Sequence, residues 1–83
     1  MQKSIHQARY HIMIALLRQK RELAGITQIQ LSNKLGVSQT VVSKIETCER
    51  RIDVIELIDI CNVINVSFVE FLNELNNELN KKI

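Results

Sequence analysis

Between Ser38 and Ile45 a short segment sets polar side chains along an apolar stripe. Gln39, Thr40, Ser43 and Lys44 interleave with Val41, Val42 and Ile45, and no acid stands among them. At helical spacing the valines and isoleucine form one face, while an amide, two hydroxyls and an ammonium form the other. Such a face suits base edges and phosphates. Arg50 and Arg51 follow in the next loop, where two cations can lie near a polyanion.

Other chemistry finds no residues to carry it. A metal site needs several His, Cys or acidic ligands at workable spacing. His6 and His11, five apart on a helix, point to different faces, and Cys48 and Cys61 form no CxxC. Cys61 lies on an apolar stripe and reads as a small core residue. Cys48 is expected to be exposed, and Glu46 and Glu49 nearby disfavour its thiolate. No nucleophile, base and acid converge, and no phosphate loop is present. Glu70, Glu74 and Glu78 look like a solvated helix face. The expectation is no enzyme, no cofactor and no metal.

The charge distribution supports a polyanion partner. Net charge is only +2, but residues 1–51 hold nine Lys/Arg against three acids, a net of +6. Residues 52–83 hold two Lys against six acids, a net of −4. A polyanion would approach the first part and be repelled by the second.

The elements that must position these residues are helices. Eighty-three residues suit one domain with a thin core. Proline is absent and glycine appears only at Gly25 and Gly36, which argues against sheets and their turns. No apolar run reaches a membrane span's length, and polar residues break the N-terminal segment where a signal peptide would be apolar. Two cysteines are too few for a disulfide framework, so a cytoplasmic location is expected.

Ser4 and Gln7 have the form of a capping box, followed by Tyr10, Met13, Ile14, Leu17 and Ala24 on one face. That predicts a first helix over about 6–24, stopped by Gly25. Thr27 caps a second over 28–35, with Ile29, Leu31 and Leu35 as its apolar positions. Ser38 caps a third over 39–47. The box Asp53–Glu56 opens a fourth over 54–64, with Val54, Leu57, Ile58, Cys61 and Ile64 inward. The box Ser67–Glu70 opens a last helix carrying Phe68, Leu72, Leu75 and Leu79 toward Ile83. A five-helix all-α domain follows.

Residues 27–46, TQIQLSNKLGVSQTVVSKIE, resemble the helix-turn-helix of the Cro/phage-repressor (Xre-type) family. The matching positions are Thr27, Gln28, Ser32, Gly36, Val37, Ser38, Val42, Ser43, Ile45 and Glu46, and the likeness extends from Leu17 to about Phe71. It implies a compact lambda-repressor-like fold, the motif at about 27–47, and a turn too tight for a Cβ at its glycine. It also implies that Ser32 is small because two helices touch there. In that family the first helix of the motif crosses the phosphate backbone and the second enters the major groove.

Carried over residue by residue, Gln28 touches a phosphate and braces Gln39, which reads adenine through a bidentate amide pair. Ser38, Thr40, Ser43 and Lys44 join the DNA-facing set, Lys44 toward guanine or a phosphate. Arg50 and Arg51 lie by the phosphates. Arg21 and Glu46 pair as a structural clamp. Cys48 and Asn65 stand where relatives commonly have Gly, and a left-handed turn at Cys48 costs about 1 kcal/mol more than at Gly.

The expected function is a sequence-specific double-stranded DNA-binding transcriptional regulator, a homodimeric repressor acting by occlusion, since the chain leaves no room for a ligand-sensing domain. Dimerisation is expected through the terminal helix, about 68–82, by Leu72, Leu75, Leu79 and Ile83, the last three too far out for the domain's own core. Ile55, Ile60 and Val63 on the fourth helix are the fallback surface. The alternative is an antitoxin or other protein-binding module, with a toxin as partner and DNA binding secondary.

Overall fold

Four of the five helices begin at a local capping signal that the backbone obeys. The computed structural model describes residues 3–82, and among them runs α1 Lys3–Leu23, α2 Gln28–Leu35, α3 Gln39–Glu46, α4 Val54–Val63 and α5 Phe68–Lys82. Thr27 closes a full capping box. Its Oγ1 accepts from Gln30 N–H at 3.1 Å, and its own N–H donates to Gln30 Oε1 at 2.9 Å. Asp53 and Glu56 repeat the device at 2.7 and 3.0 Å. Ser38 Oγ and Ser67 Oγ accept from the N–H groups of Val41 and Glu70, satisfying first-turn donors of α3 and α5.

The start of α1 departs from the expected one. Ser4 lies inside the helix, not at its cap. Lys3 is a good helix former, and no Pro or Gly stands before Ser4 to end the helix. At the other end Ala24 sits exposed in the turn after the helix, off the buried face.

The five helices pack as α1 against α3 and α5, α2 against α3 and α4, and α4 against α5. Leu16 and Leu17 of α1, Leu31 of α2, Val42 of α3, Leu57, Ile60 and Cys61 of α4, Ile64 at the C-cap of α4, and Phe71 and Leu75 of α5 form one core. Two expected α4 positions change places: Val54 is exposed and Ile60 is buried. The helix is covered by α2 on one side and α5 on another, so its buried face is wider than a single stripe and rotated from the expected one. Ile60 is therefore not available as a fallback contact surface. Ile29 of α2 is likewise exposed.

The terminal helix is corrected in the same way. Phe71, 1% exposed, fills the centre of the core, while Leu72 is 39% exposed. Leu75, expected to lie beyond the domain's reach, is 9% exposed, and Leu79 packs against the core's edge. The cause is α1. Its 21 residues run long enough to line α5, with Ile12 and Met13 against the cluster and Lys20 Nζ 2.8 Å from Glu74 Oε1. Ile83 lies outside the described residues. Among those described, no helix is long and apolar enough to cross a membrane.

Candidate nucleic-acid interface

The turn joining α2 to α3 decides how the polar face of α3 is presented. Ser32 is buried where the two helices meet, and its Oγ donates to Ile29 C=O at 2.7 Å, so the hydroxyl is satisfied without water. Gly36 adopts φ 73°, and Val37 N–H returns to Ser32 C=O at 3.0 Å. The glycine is required by this left-handed backbone, not by crowding. A Cβ there would meet nothing within 4 Å, which corrects the expectation of a turn too tight for one.

Val42 and Ile45 anchor α3 in the interior. That anchoring leaves Ser38, Gln39, Thr40 and Lys44 exposed and Ser43 half-buried. Among the described residues, the side chains of Gln39, Thr40, Ser43 and Lys44 make no hydrogen bond or ion pair within the domain. One amide, two hydroxyls and one ammonium are therefore uncommitted on a rigid two-turn helix.

At the far end of α3 a buried ionic cluster joins three elements. Arg21 Nε and Nη2 donate to Glu46 Oε2 and Oε1 at 2.6 and 3.0 Å, a bidentate pair with both side chains 8% exposed. Arg21 Nη1 donates to Ile26 C=O at 2.6 Å, fixing the loop before α2. Gln28 Nε2 donates to Glu46 Oε1 at 2.8 Å. No hydrogen bond joins Gln28 to Gln39 among the described residues; the amide faces the carboxylate, because Glu46 offers a charged acceptor within reach. A contact across 18 residues leaves no trace in sequence spacing, so this link was not legible there.

The loop after α3 keeps a left-handed turn although its residue is a cysteine. Cys48 has φ 65°, and the N–H groups of Glu49 and Arg50 both return to Lys44 C=O, at 2.9 and 3.1 Å. Cys48 is half-buried where exposure was expected, and that burial raises its thiol pKa, with the Arg51 charge opposing. Burial also raises that of Cys61. Cys48→Gly should relieve the strained φ and raise stability by up to about 1 kcal/mol, less the extra chain entropy glycine gains on unfolding. The denaturation midpoint checks this; a lower midpoint would show that thiol packing outweighs the strain.

Both loop arginines are engaged within the fold. Arg50 Nη2 donates to Glu56 Oε2 at 2.8 Å, and the Arg51 guanidinium sits 4.4 Å over the Tyr10 ring. Tyr10 Oη in turn accepts from Ile52 N–H at 3.1 Å. The bond from Arg50, then the Asp53 N–H, lowers the Glu56 pKa. This contribution to stability is present above the ordinary Glu range and is lost as pH falls through the depressed value. Among the described residues no three His, Cys, Asp or Glu side chains gather as a metal site would require.

A family model described as Helix-turn-helix matches residues 17–71. The chain is also similar to a solved structure, an XRE-family like protein from Pseudomonas syringae pv. tomato str. DC3000. Identity is 45% and the TM-score 0.86, over 92% of this chain and 93% of that one. No curated protein matches this chain. The family match spans the Arg21–Glu46 cluster, the α2–α3 turn and the polar face of α3, and ends within the first turn of α5. The chain thus belongs to the Xre-type helix-turn-helix family, whose members are DNA-binding regulators and not enzymes.

Proposed function

We propose that the protein is a sequence-specific regulator of transcription that binds duplex DNA as a homodimer and represses by occluding its site. The observation that carries this reading is the uncommitted polar face of α3, held outward by buried Val42 and Ile45. Its N-terminal residues Ser38, Gln39 and Thr40 would meet the major groove first, with Ser43 and Lys44 one turn on. Gln39 pairs with adenine, and Lys44 donates to guanine or to a phosphate. Gln28 uses its remaining N–H on a phosphate. Arg50 and Arg51 add positive charge beside the backbone from their places on Glu56 and Tyr10.

A single motif reads few base pairs, so two copies related by a twofold axis double the contacts. The outer face of α5 supports this role, since Val69 and Leu72 are exposed there and Leu79 is only partly covered. Leu75 contributes from beneath by holding the helix to its own core.

Selecting bound fragments from random duplex DNA should return a site with two half-sites about one helical turn apart. On that site Gln39→Ala should relax discrimination at one position of each half-site, by about 1–3 kcal/mol. If the variant reads every base as the parent does, α3 is not the reading helix. If only one half-site emerges, the dimer is wrong.

A further inference from the structure

Arg18 stands one turn before Arg21 on α1, and the two guanidiniums are used very differently. All three nitrogens of Arg21 are committed inward, two to Glu46 and one to Ile26 C=O. Arg18 donates only through Nε, to Glu22 Oε2 at 3.3 Å, and neither of its Nη groups makes a hydrogen bond among the described residues. Its side chain is 54% exposed. The same Nε lies 4.0 Å from Glu46 Oε1, the oxygen that Gln28 Nε2 reaches at 2.8 Å.

The chemistry of this junction is asymmetric. A carboxylate only accepts, so Gln28 must turn its nitrogen toward Glu46, and one N–H of that amide is left over. Arg18 brings its Nε toward the same Glu46 oxygen and leaves the open end of its fork uncommitted. Arg21 already neutralises Glu46, so the carboxylate does not leave a bare negative charge at the surface. The remaining restraint on Arg18 is Glu22, an exposed partner one turn along the same helix, and such a pair is weak and screened by salt.

We propose that Arg18 is a DNA-contacting residue that, with Gln28, grips one backbone phosphate where α1 meets α2. The inference rests on the DNA-binding reading above and adds a contact made from outside the helix-turn-helix itself. A planar guanidinium matches two phosphate oxygens at once, and the phosphate replaces Glu22 as its partner. The contact carries no sequence information; it sets affinity and the register of α3 in the groove.

The test uses the full chain, the selected duplex and a scrambled duplex, titrated from low to moderate salt. Arg18→Ala should weaken binding to both duplexes by a similar factor. It should also reduce the slope of log K against log salt by about one for each protomer bound. Arg18→Lys should restore most of the slope, because it restores the charge. Glu22→Gln frees the fork and should strengthen binding severalfold in the parent, with a smaller gain in the Arg18→Ala background. Circular dichroism before each titration verifies the fold, and the Glu22→Gln comparison stands even if Arg18→Ala is poorly folded. A parent slope retained by folded Arg18→Ala overturns the proposal while leaving the DNA-binding reading intact, and so does a loss confined to the selected duplex. A parent that binds neither duplex overturns both.

Discussion

Replacing Arg21 with alanine should cost about 3–5 kcal/mol of folding free energy. The guanidinium is the main partner of a Glu46 carboxylate that is itself 8% exposed, and it also satisfies Ile26 C=O. Its removal strands a charge that water reaches poorly, with only the Gln28 amide remaining at hydrogen-bonding distance. A domain of 83 residues has roughly 4–12 kcal/mol of stability in total. The variant should therefore melt far below the parent, since each kcal/mol moves Tm by about 4–8 °C in a domain this size. The penalty comes from the orphaned charge more than from loss of attraction. Arg21→Met combined with Glu46→Leu should accordingly recover much of the loss. Chemical denaturation of the three variants decides this. A loss under about 1 kcal/mol for Arg21→Ala would show that the pair opens readily to solvent.

Phe71→Ala should be comparably severe, at about 3–5 kcal/mol. The ring is 1% exposed and belongs to the cluster that joins α1, α4 and α5. Deleting it leaves a cavity that the surrounding helices, held in place by their packing and loops, can close only in part. Leu72, its neighbour in the chain, provides the contrast. It is 39% exposed, and its truncation should cost the folded protomer under about 1 kcal/mol. Urea midpoints of the two alanine variants give the register of α5 directly. Equal losses would mean that Phe71 and Leu72 share the buried face of α5.

The same pair of residues shows where local pattern stops being informative. Phe68, Leu72, Leu75 and Leu79 keep a three/four rhythm, and so do Phe68, Phe71, Leu75 and Leu79. Both stripes are apolar, and periodicity cannot rank them. Contact with α1 and α4 ranks them, because only one face of α5 can be covered by both. The exchange of Val54 for Ile60 on α4 has the same origin. Cys48 illustrates the opposite case: its departure from the usual glycine was visible in the sequence, and the backbone takes φ 65° regardless, because the returning hydrogen bonds to Lys44 C=O hold the turn.

The information carried by the residues alone is local and chemical. Capping residues at Thr27, Ser38, Asp53 and Ser67, the glycine at 36 and the apolar spacing set where four of the five helices begin and what joins α2 to α3, because those signals act within one helical turn. The all-helical family was equally legible, carried by the residues of the motif itself. Packing of the helices decided that Glu46 Oε1 accepts from Gln28 as well as from Arg21, and that Arg50 and Arg51 rest on Glu56 and Tyr10. It also decided that Leu75 is covered by its own protomer. These contacts join residues far apart in the chain, or depend on faces that several helices share. Their geometry follows from how the helices pack, which no window of a few residues contains.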